Sequence, residues 1–280
     1  IYRCEKANIK AIVATGDEIV VNHIQKSLPK CPSLTTLIST GPIVPEGWLD
    51  FDKEIEAAAP FVRPELANTN DDVSLMYFTS GTTGNPKMVA HDFTYPLGHI
   101  ITAKYWHCVQ VGKLHFTISD TGWGKSLWGK LYGQWLCEAA QFTYDFDRFH
   151  SEDILPMFAK YGITTFCAPP TMYRFFIKED LSKYDLSSIQ YATTAGEALN
   201  PEVFYQFEKA TGLRIHEGFG QTEMTLGIAN LYGAAIKPGA MGKPVPGYGI
   251  DIVDTDGNPV ADGVNGEIVI RTDPKPTCGV

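Results

Sequence analysis

Long hydrophobic runs are missing from this chain of 280 residues. No apolar stretch reaches the roughly 18 residues that suggest a membrane span, so none is expected. Nothing in it reads as a signal peptide. Positive charge is scarce: 23 Lys and Arg stand against 32 Asp and Glu, a net charge of -9. That balance argues against a nucleic-acid surface and leaves room for a local basic pocket around an anion. Cysteines occur, but without pattern. The six, at 4, 31, 108, 137, 167 and 278, form no CxxC pair and no Cys/His group with zinc spacing. They read as reduced thiols of a cytoplasmic protein. Two motifs are incomplete. Five positions after Gly81 stands Pro86 rather than Gly, and Met88 follows Lys87, which excludes a Walker loop. His216-Glu217 does not continue to HExxH, which excludes that zinc motif.

What is present is a globular composition, 44% hydrophobic and 20% charged, long enough for one large domain or two small ones. Residues 8–28 read as strand, Gly-Asp turn and helix, and 34–39 as the next strand. From 41 to 70 a Pro-, Glu- and Ala-rich connection is expected, with helix around 50–59. "VSLMYF" at 73–78 is apolar on both faces and predicts a buried strand. Phe93, Leu97, Ile100, Ile101 and Lys104 recur at helical spacing, predicting a helix over 92–107. Ser151 as N-cap, Glu152 and Asp153 in the first turn and Gly162 at the end mark another helix. "ITTFCA" at 163–168 reads as a short buried strand. Asn200-Pro201-Glu202 opens a helix that "ATG" at 210–212 closes, and "LRIHEG" resumes as strand. Helices alternating with short β runs imply a parallel sheet. After about 235 the texture turns Gly- and Pro-rich, with β runs at 249–254 and 266–272 around a "DTDGN" turn, part of a small antiparallel subdomain. Trp106, Trp128 and Trp135 are expected in the core, and His91 in packing or facing solvent.

The segment after "VSLMYF" concentrates small and hydroxyl residues: Thr79, Ser80, Gly81, Thr82, Thr83, Gly84, Asn85, Pro86 and Lys87. Glycines let backbone amides approach phosphate oxygens, and Lys87 can meet a phosphate as a point charge. The same composition also describes a polar surface loop. Two further small-residue segments stand at strand ends, "TTAGEALNPE" at 193–202 and "EGFGQTEMT" at 217–225. Ligands of open parallel sheets bind at the carboxyl ends of strands, so three such loops could face one cleft.

In this order and spacing the loops resemble the adenylate-forming acyl-CoA synthetase superfamily. S-G-T-T-G-x-P-K, A-G-E-A-L and G-F-G-Q-T-E are three of its signatures, and G-K-P-x-P-G followed by I-V-D-x-x-G is a fourth. "YRCEKANIKAIVA" and "SDTGWGKSLWG" are most similar to the medium-chain branch. The resemblance covers nearly the whole chain. It implies an α/β fold: parallel sheets flanked by helices, with part of a small antiparallel β-subdomain at the C-terminal end. The implied divisions are 1–107, 108–235 and 236–280. It implies activation of a carboxylic acid by Mg-ATP to an acyl-adenylate, then thioester formation with coenzyme A. The partners are therefore a small-molecule acid and coenzyme A, with no nucleic acid and no membrane span.

The resemblance also implies residue roles. Thr79 through Lys87 match the loop that holds the β- and γ-phosphates. Thr222 matches the hydroxyl on the α-phosphate, and Glu223 the carboxylate holding Mg2+, with Thr79 as a possible second oxygen. Lys87, Thr222 and Glu223 are the implied catalytic set. Gly196, Glu197 and Ala198 match the turn beside adenine; Glu217, Gly218 and Phe219, continuing through Gly220 and Gln221, flank the base on its other side. Trp123 falls where the medium-chain branch has a tryptophan beside its acyl tunnel, and Thr194, Ala195 and Gly220 would line the same pocket. Structural alternatives stay open: Trp123 as a core aromatic, Glu223 as a helix cap.

The family chain is roughly twice this length. The ribose aspartate, the hinge and the mobile domain with its lysine have no counterpart here, and 273–280 cannot replace them. The chain is thus expected to be the central piece of such an enzyme. One rival is an amino-acid adenylation domain, which usually carries G-P-T-E where Gly220-Gln221-Thr222-Glu223 stands; Asp120 keeps that question open. The others are a luciferase-like oxygenase and a non-catalytic nucleotide-binding fragment.

Overall fold

The computed structural model describes residues 1–65, 68–79, 84–146 and 148–272, with Trp128 described by its backbone alone. Contacts divide the chain into two units, residues 1–68 with 78–88 and residues 69–77 with 89–280.

The first unit follows local signals closely. Helix α1 (Tyr2–Ala7) stops at Asn8, which takes the left-handed conformation at φ 50. Strand β1 (Ala11–Thr15) leads through Asp17, whose carboxylate accepts from Ile19 N at 2.9 Å and Val20 N at 3.1 Å, into α2 (Glu18–Ser27). This is the N-cap device, and it sets the expected turn. Strand β2 (Thr36–Thr40) and the short β3 (Leu49–Asp50) complete a parallel sheet in the order β1-β2-β3. Asp50 then caps α3 (Phe51–Ala57). A small core of Ala14, Val21 and Trp48 holds the unit.

Strands β4 (Val73–Thr79) and β5 (Lys87–Asp92) form a two-stranded sheet of their own. The expectation of a buried strand fails here: Val73 is 51% and Met76 47% exposed. An apolar run is buried on both faces only where neighbours cover both sides, and this strand has one paired partner.

The second unit begins with α4 (Tyr95–Ile101), which widens into a π-helical turn over Thr102–Trp106. The single helix expected over 92–107 starts later because the Asp92 carboxylate accepts from Thr94 N at 2.8 Å and the Thr94 hydroxyl at 2.6 Å. That Asx turn ends β5 before the helix can begin. There follow β6 (Leu114–Thr117), α5 (Lys125–Leu127), α6 (Gly133–Leu136), β7 (Ala140–Phe142), α7 (Ser151–Tyr161), β8 (Ile163–Cys167), α8 (Pro170–Phe176), β9 (Tyr191–Ala195), α9 (Pro201–Thr211) and β10 (Ile215–Gly220). Strands β11 (Leu226–Ala229) and β12 (Lys243–Pro244) complete a seven-stranded sheet, ordered β12-β11-β10-β9-β8-β6-β7. It is parallel from β7 to β10 and antiparallel through β11 and β12. Beyond it, β13 (Gly249–Val253) pairs antiparallel with β14 (Glu267–Arg271), and Asp254 organises the turn that follows β13 by accepting from Asp256 N and Asn258 N, both at 2.9 Å.

Helix ends follow the expected chemistry with one exception. Asn200 caps α9 through Glu202 N, Pro201 takes its first position, and Gly212 closes it at φ 73. Gly162 closes α7 at φ 65. Ser151, however, is not the N-cap. His150 holds that extended position at φ -127, while Ser151 is already helical and makes no capping bond.

Strand register sorts the sheet into two faces, because residues opposite one another across neighbouring strands point the same way. Phe116, Phe166, Ala192 and Ile215 align on one face and join the main core with Ile154, Phe158, Tyr173 and Phe204 from the helices. His115, Thr165, Thr193, His216 and Gly218 point to the other. Trp106 is fully buried, as expected; Trp135, also expected inside, is 63% exposed. Helix α6 turns Gly133 and Gln134 inward, which leaves the following indole outward. The Trp128 side chain lies outside the described residues. Cys4, Cys31, Cys108, Cys137 and Cys167 are free thiols, and Cys278 lies outside the description.

Candidate active site

In the first unit the hydroxyl-rich loop is described at its two limbs. Thr79 ends β4, Gly84 takes φ +100, and Lys87 opens β5 with its side chain exposed. Between Asn85 and Lys87, the Pro86 carbonyl accepts from the Tyr2 hydroxyl at 3.0 Å, which anchors the returning limb. Ser80, Gly81, Thr82 and Thr83 lie outside the described residues.

In the second unit the carboxyl ends of β9 and β10 carry the other predicted groups. Thr194 and Ala195 are neighbours on β9 and therefore point to opposite faces. Thr194 is fully buried and its hydroxyl donates to the Ala168 carbonyl at 2.7 Å. Ala195 offers its carbonyl to the Lys125 ammonium at 3.4 Å. Gly196 then turns at φ +100, a conformation that favours glycine, and a Cβ there would stand 3.9 Å from the Trp123 ring. This brings Trp123 beside the 196–198 turn. Its ring is 58% exposed, which sets aside its reading as a core aromatic. The local frame of Trp123 is tight: Gly122 N donates to Asp120 Oδ1 at 2.7 Å, and the Ser126 hydroxyl donates to the Trp123 carbonyl at 2.8 Å. Glu197 accepts from the Thr171 hydroxyl at 3.1 Å and pairs with Arg174 at 3.6 Å. Ala198 is exposed, and Leu199 turns back into the core.

Glu217, Gly218, Phe219 and Gly220 belong to β10 itself rather than to a loop after it. The Glu217 carboxylate is buried and accepts from Leu199 N at 3.0 Å, so it ties β10 to the turn beyond β9. Burial raises its pKa, opposed by the backbone amides of Leu199 and Gly239. Gly218 has a packing reason to lack a side chain: a Cβ would lie 2.7 Å from the Trp106 indole. Gly220 has another, since a Cβ would lie 2.7 Å from the Thr225 carbonyl oxygen, where the chain folds back into β11. The turn between carries Gln221, Thr222 and Glu223. Gln221 and Glu223 are exposed and Thr222 is partly buried. A bulge between Phe219 and Gly220 marks the departure from regular pairing, a common device for re-aiming side chains beside a site.

Two participants were assigned no role from the sequence, although Lys125 lies within "SDTGWGKSLWG". Lys125 is a cation only 6% exposed, set at the same strand end as Ala195. His91, expected only to pack or face solvent, is buried, and its Nε2 stands 2.7 Å from the Thr222 carbonyl oxygen. Its partner is 131 residues away, so no local signal marks it. Among the described residues no group of three His, Cys, Asp or Glu side chains is arranged to hold a metal ion. Glu223 alone offers an exposed carboxylate at this turn, a hard oxygen donor of the kind magnesium takes alongside phosphates.

Small-residue turns at the carboxyl ends of neighbouring parallel strands are where α/β sheets bind their ligands. Residues 1–274 match the family described as AMP-binding enzyme, and the chain belongs to it. It is 36% identical over 280 residues to human acyl-coenzyme A synthetase ACSM4, mitochondrial, covering 99% of this chain and 48% of that protein. To mouse acyl-coenzyme A synthetase ACSM3, mitochondrial, it is 35% identical, covering 100% of this chain and 48% of that one. Among solved structures it resembles the anthranilate CoA ligase AuaEII in complex with anthranoyl-AMP, with a TM-score of 0.88 and 26% identity over 99% of this chain and 53% of that one. The chain spans about half the length of the curated relatives it matches. The α/β fold and the family resemblance read from the motifs are thus borne out.

Proposed function

We propose that the protein is an AMP-forming acid–thiol ligase. It activates a carboxylic acid, medium-chain fatty acids foremost, with ATP to an acyl-adenylate and pyrophosphate, and then passes the acyl group to the thiol of coenzyme A with release of AMP. The observation that carries this reading is the pair of adjacent strand ends, β9 with Gly196–Ala198 and β10 with Thr222–Glu223, in a chain of the AMP-binding family.

In this reading the acid's carboxylate attacks the α-phosphate in line, and charge grows on the phosphate oxygens. Donors and cations fixed in advance stabilise that charge. The Thr222 hydroxyl donates to the α-phosphate, while Lys87 and the loop from Thr79 hold the outer phosphates. Gly196, Glu197 and Ala198 border the adenine on one side, and Glu217 through Gln221 on the other. Glu223 would hold a magnesium ion, which supplies charge neutralisation between phosphates. Trp123, with Thr194, Ala195 and Gly220, borders the acid. The division at 1–107, 108–235 and 236–280 belongs to the same proposal. So does a cytoplasmic placement, although the relatives named above are mitochondrial; fractionation of cells tests it. Among the described residues no helix is long and apolar enough to cross a membrane.

The relatives named above are acyl-coenzyme A synthetases, which supports thioester formation over amino-acid loading. The test is Glu223→Gln in the intact protein that contains this chain. ATP–pyrophosphate exchange with a medium-chain acid should fall at least about a hundredfold, from lost charge compensation, while the melting temperature holds because the carboxylate is exposed. Near-normal exchange would remove Glu223 from the reaction. Exchange driven by amino acids and not by fatty acids would replace the substrate.

A further inference from the structure

The turn at 221–225 is held at both ends by its own chain. Gly220 folds back against Thr225, Met224 N donates to the Gln221 carbonyl at 3.2 Å, and the Thr225 hydroxyl lies 2.7 Å from the Tyr248 hydroxyl. The middle of the turn is held from elsewhere. His91, near the end of β5 and four residues beyond Lys87, places Nε2 at 2.7 Å from the Thr222 carbonyl oxygen. A carbonyl only accepts, so Nε2 carries a hydrogen and donates. The imidazole cannot swing away easily. It is 5% exposed, stacks on Tyr95 with centroids 3.9 Å apart, and meets Tyr77 edge-on at 6.0 Å.

We propose that His91 is a positioning residue. Through the Thr222 carbonyl it sets the turn on which the Thr222 hydroxyl and the Glu223 carboxylate stand. The inference rests on the roles proposed for those two groups. Its physical basis is the tolerance of reacting geometry: displacement of a reacting group by about 1 Å costs on the order of a hundredfold in rate. Two short polar side chains on an exposed turn have little else to fix them. His91 touches no reacting atom in this scheme. It acts through the main chain, and packing on Tyr95 and Tyr77 orients its ring.

Two substitutions separate the hydrogen bond from the packing. His91→Phe keeps a ring to stack on Tyr95 and removes the donor. His91→Gln places an amide nitrogen near the position of Nε2. In the intact protein, His91→Phe should speed backbone amide hydrogen exchange across 221–225 about tenfold. It should also lower the kcat of pyrophosphate exchange about tenfold and raise the Mg2+ concentration for half-maximal rate, with the acid KM unchanged. His91→Gln should recover most of each effect. In the unsubstituted protein, nitrogen NMR should find the His91 hydrogen on Nε2. A His91 proton on Nδ1 alone, unchanged amide exchange in folded His91→Phe, or a Gln variant as impaired as the Phe variant overturns the proposal. Loosened amides with unaltered kcat and Mg2+ dependence overturn it as well. If the unsubstituted protein shows no pyrophosphate exchange, the proposed function falls, while the amide and NMR measurements still decide whether His91 holds the turn.

Discussion

The two faces of the seven-stranded sheet are both buried, yet they are built on opposite principles. Phe116, Phe166, Ala192 and Ile215 face α7, α8 and α9 in a core made almost wholly of carbon. Its aromatic rings meet edge-on or tilted, as with Phe158 and Phe166 at 4.9 Å. Such a face needs only volume and fit. On the other face His115 reaches the Thr165 hydroxyl at 2.7 Å and the Thr117 hydroxyl at 2.8 Å. The Thr117 hydroxyl donates to the Gly129 carbonyl at 2.6 Å, and Gln134 lies 2.9 Å from His107. His107 stacks between Trp106 and His115, with centroids 4.5 and 4.6 Å away. A buried polar layer must satisfy each group or lose its desolvation energy; among the described residues His107 Nε2 and Gln134 Oε1 are left without a partner. The apolar face stabilises the fold through burial and close packing. The polar face fixes one arrangement, and the carbonyl end of Ala195, Lys125 and Trp106 belong to it.

The comparison can be broken at its strongest point by Phe166→Ala. This residue is 1% exposed at the centre of the apolar face, and its truncation should cost about 3–5 kcal/mol. Chemical denaturation reads the change, and a loss below about 1 kcal/mol would show that face to be loosely packed.

Acid acts on the polar face instead. Burial is the main cause that holds His115 down at about 3 and His107 well below its usual value. The unfolded chain takes up protons at these rings from about pH 6.5 downward, and the folded chain does not until far lower. More protons bound unfolded means that stability falls as pH falls. By pH 5 the loss from His115 should be roughly 2 kcal/mol, at about 1.4 kcal/mol per pH unit, and His107 acts in the same direction. Glu217 works the other way, since its raised carboxyl takes up a proton more readily when folded. His115→Leu should lose about 1–3 kcal/mol at neutral pH, from the abandoned Thr165 hydroxyl, and should flatten the acid slope. Melting temperatures of both proteins between pH 5 and 8 measure it; parallel curves would mean that folding leaves the His115 pKa where it is in the unfolded chain. The smallest effect belongs to Trp135→Ala. Lying on neither face and 63% exposed, it should shift stability by less than about 0.5 kcal/mol. A larger shift would make it part of an unrecognised contact.

Much of the apolar face was legible. Glycine and asparagine punctuation located α7 and α9, and the short run "ITTFC" read as a buried strand because every residue of β8 is indeed inside. The turns bearing Gly196–Ala198 and Thr222–Glu223 were legible as motifs, and Glu217 and Gly218 lie in a strand as "LRIHEG" predicted, while Phe219 and Gly220 extend it. The polar face was not legible. His115 and Thr165 are 50 residues apart, and Gln134 and His107 are 27 apart. Trp135 and "VSLMYF" were misplaced for a related reason: hydrophobicity states a preference for burial, and only the neighbours decide whether burial is available.

By itself the sequence determined the family, the helices α7 and α9 with the strands that follow them, and the small-residue turns that end β9 and β10. These depend on residues within one turn of each other: caps, left-handed glycines and β-branched runs. Tertiary structure alone decided which face each strand residue serves, that the Trp106 indole forbids a side chain at Gly218, and that His91 donates to Thr222. Such facts are pair properties of residues far apart along the chain. A local pattern carries the conformation of its own backbone, but not the identity of the group that will come to lie 2.7 Å away.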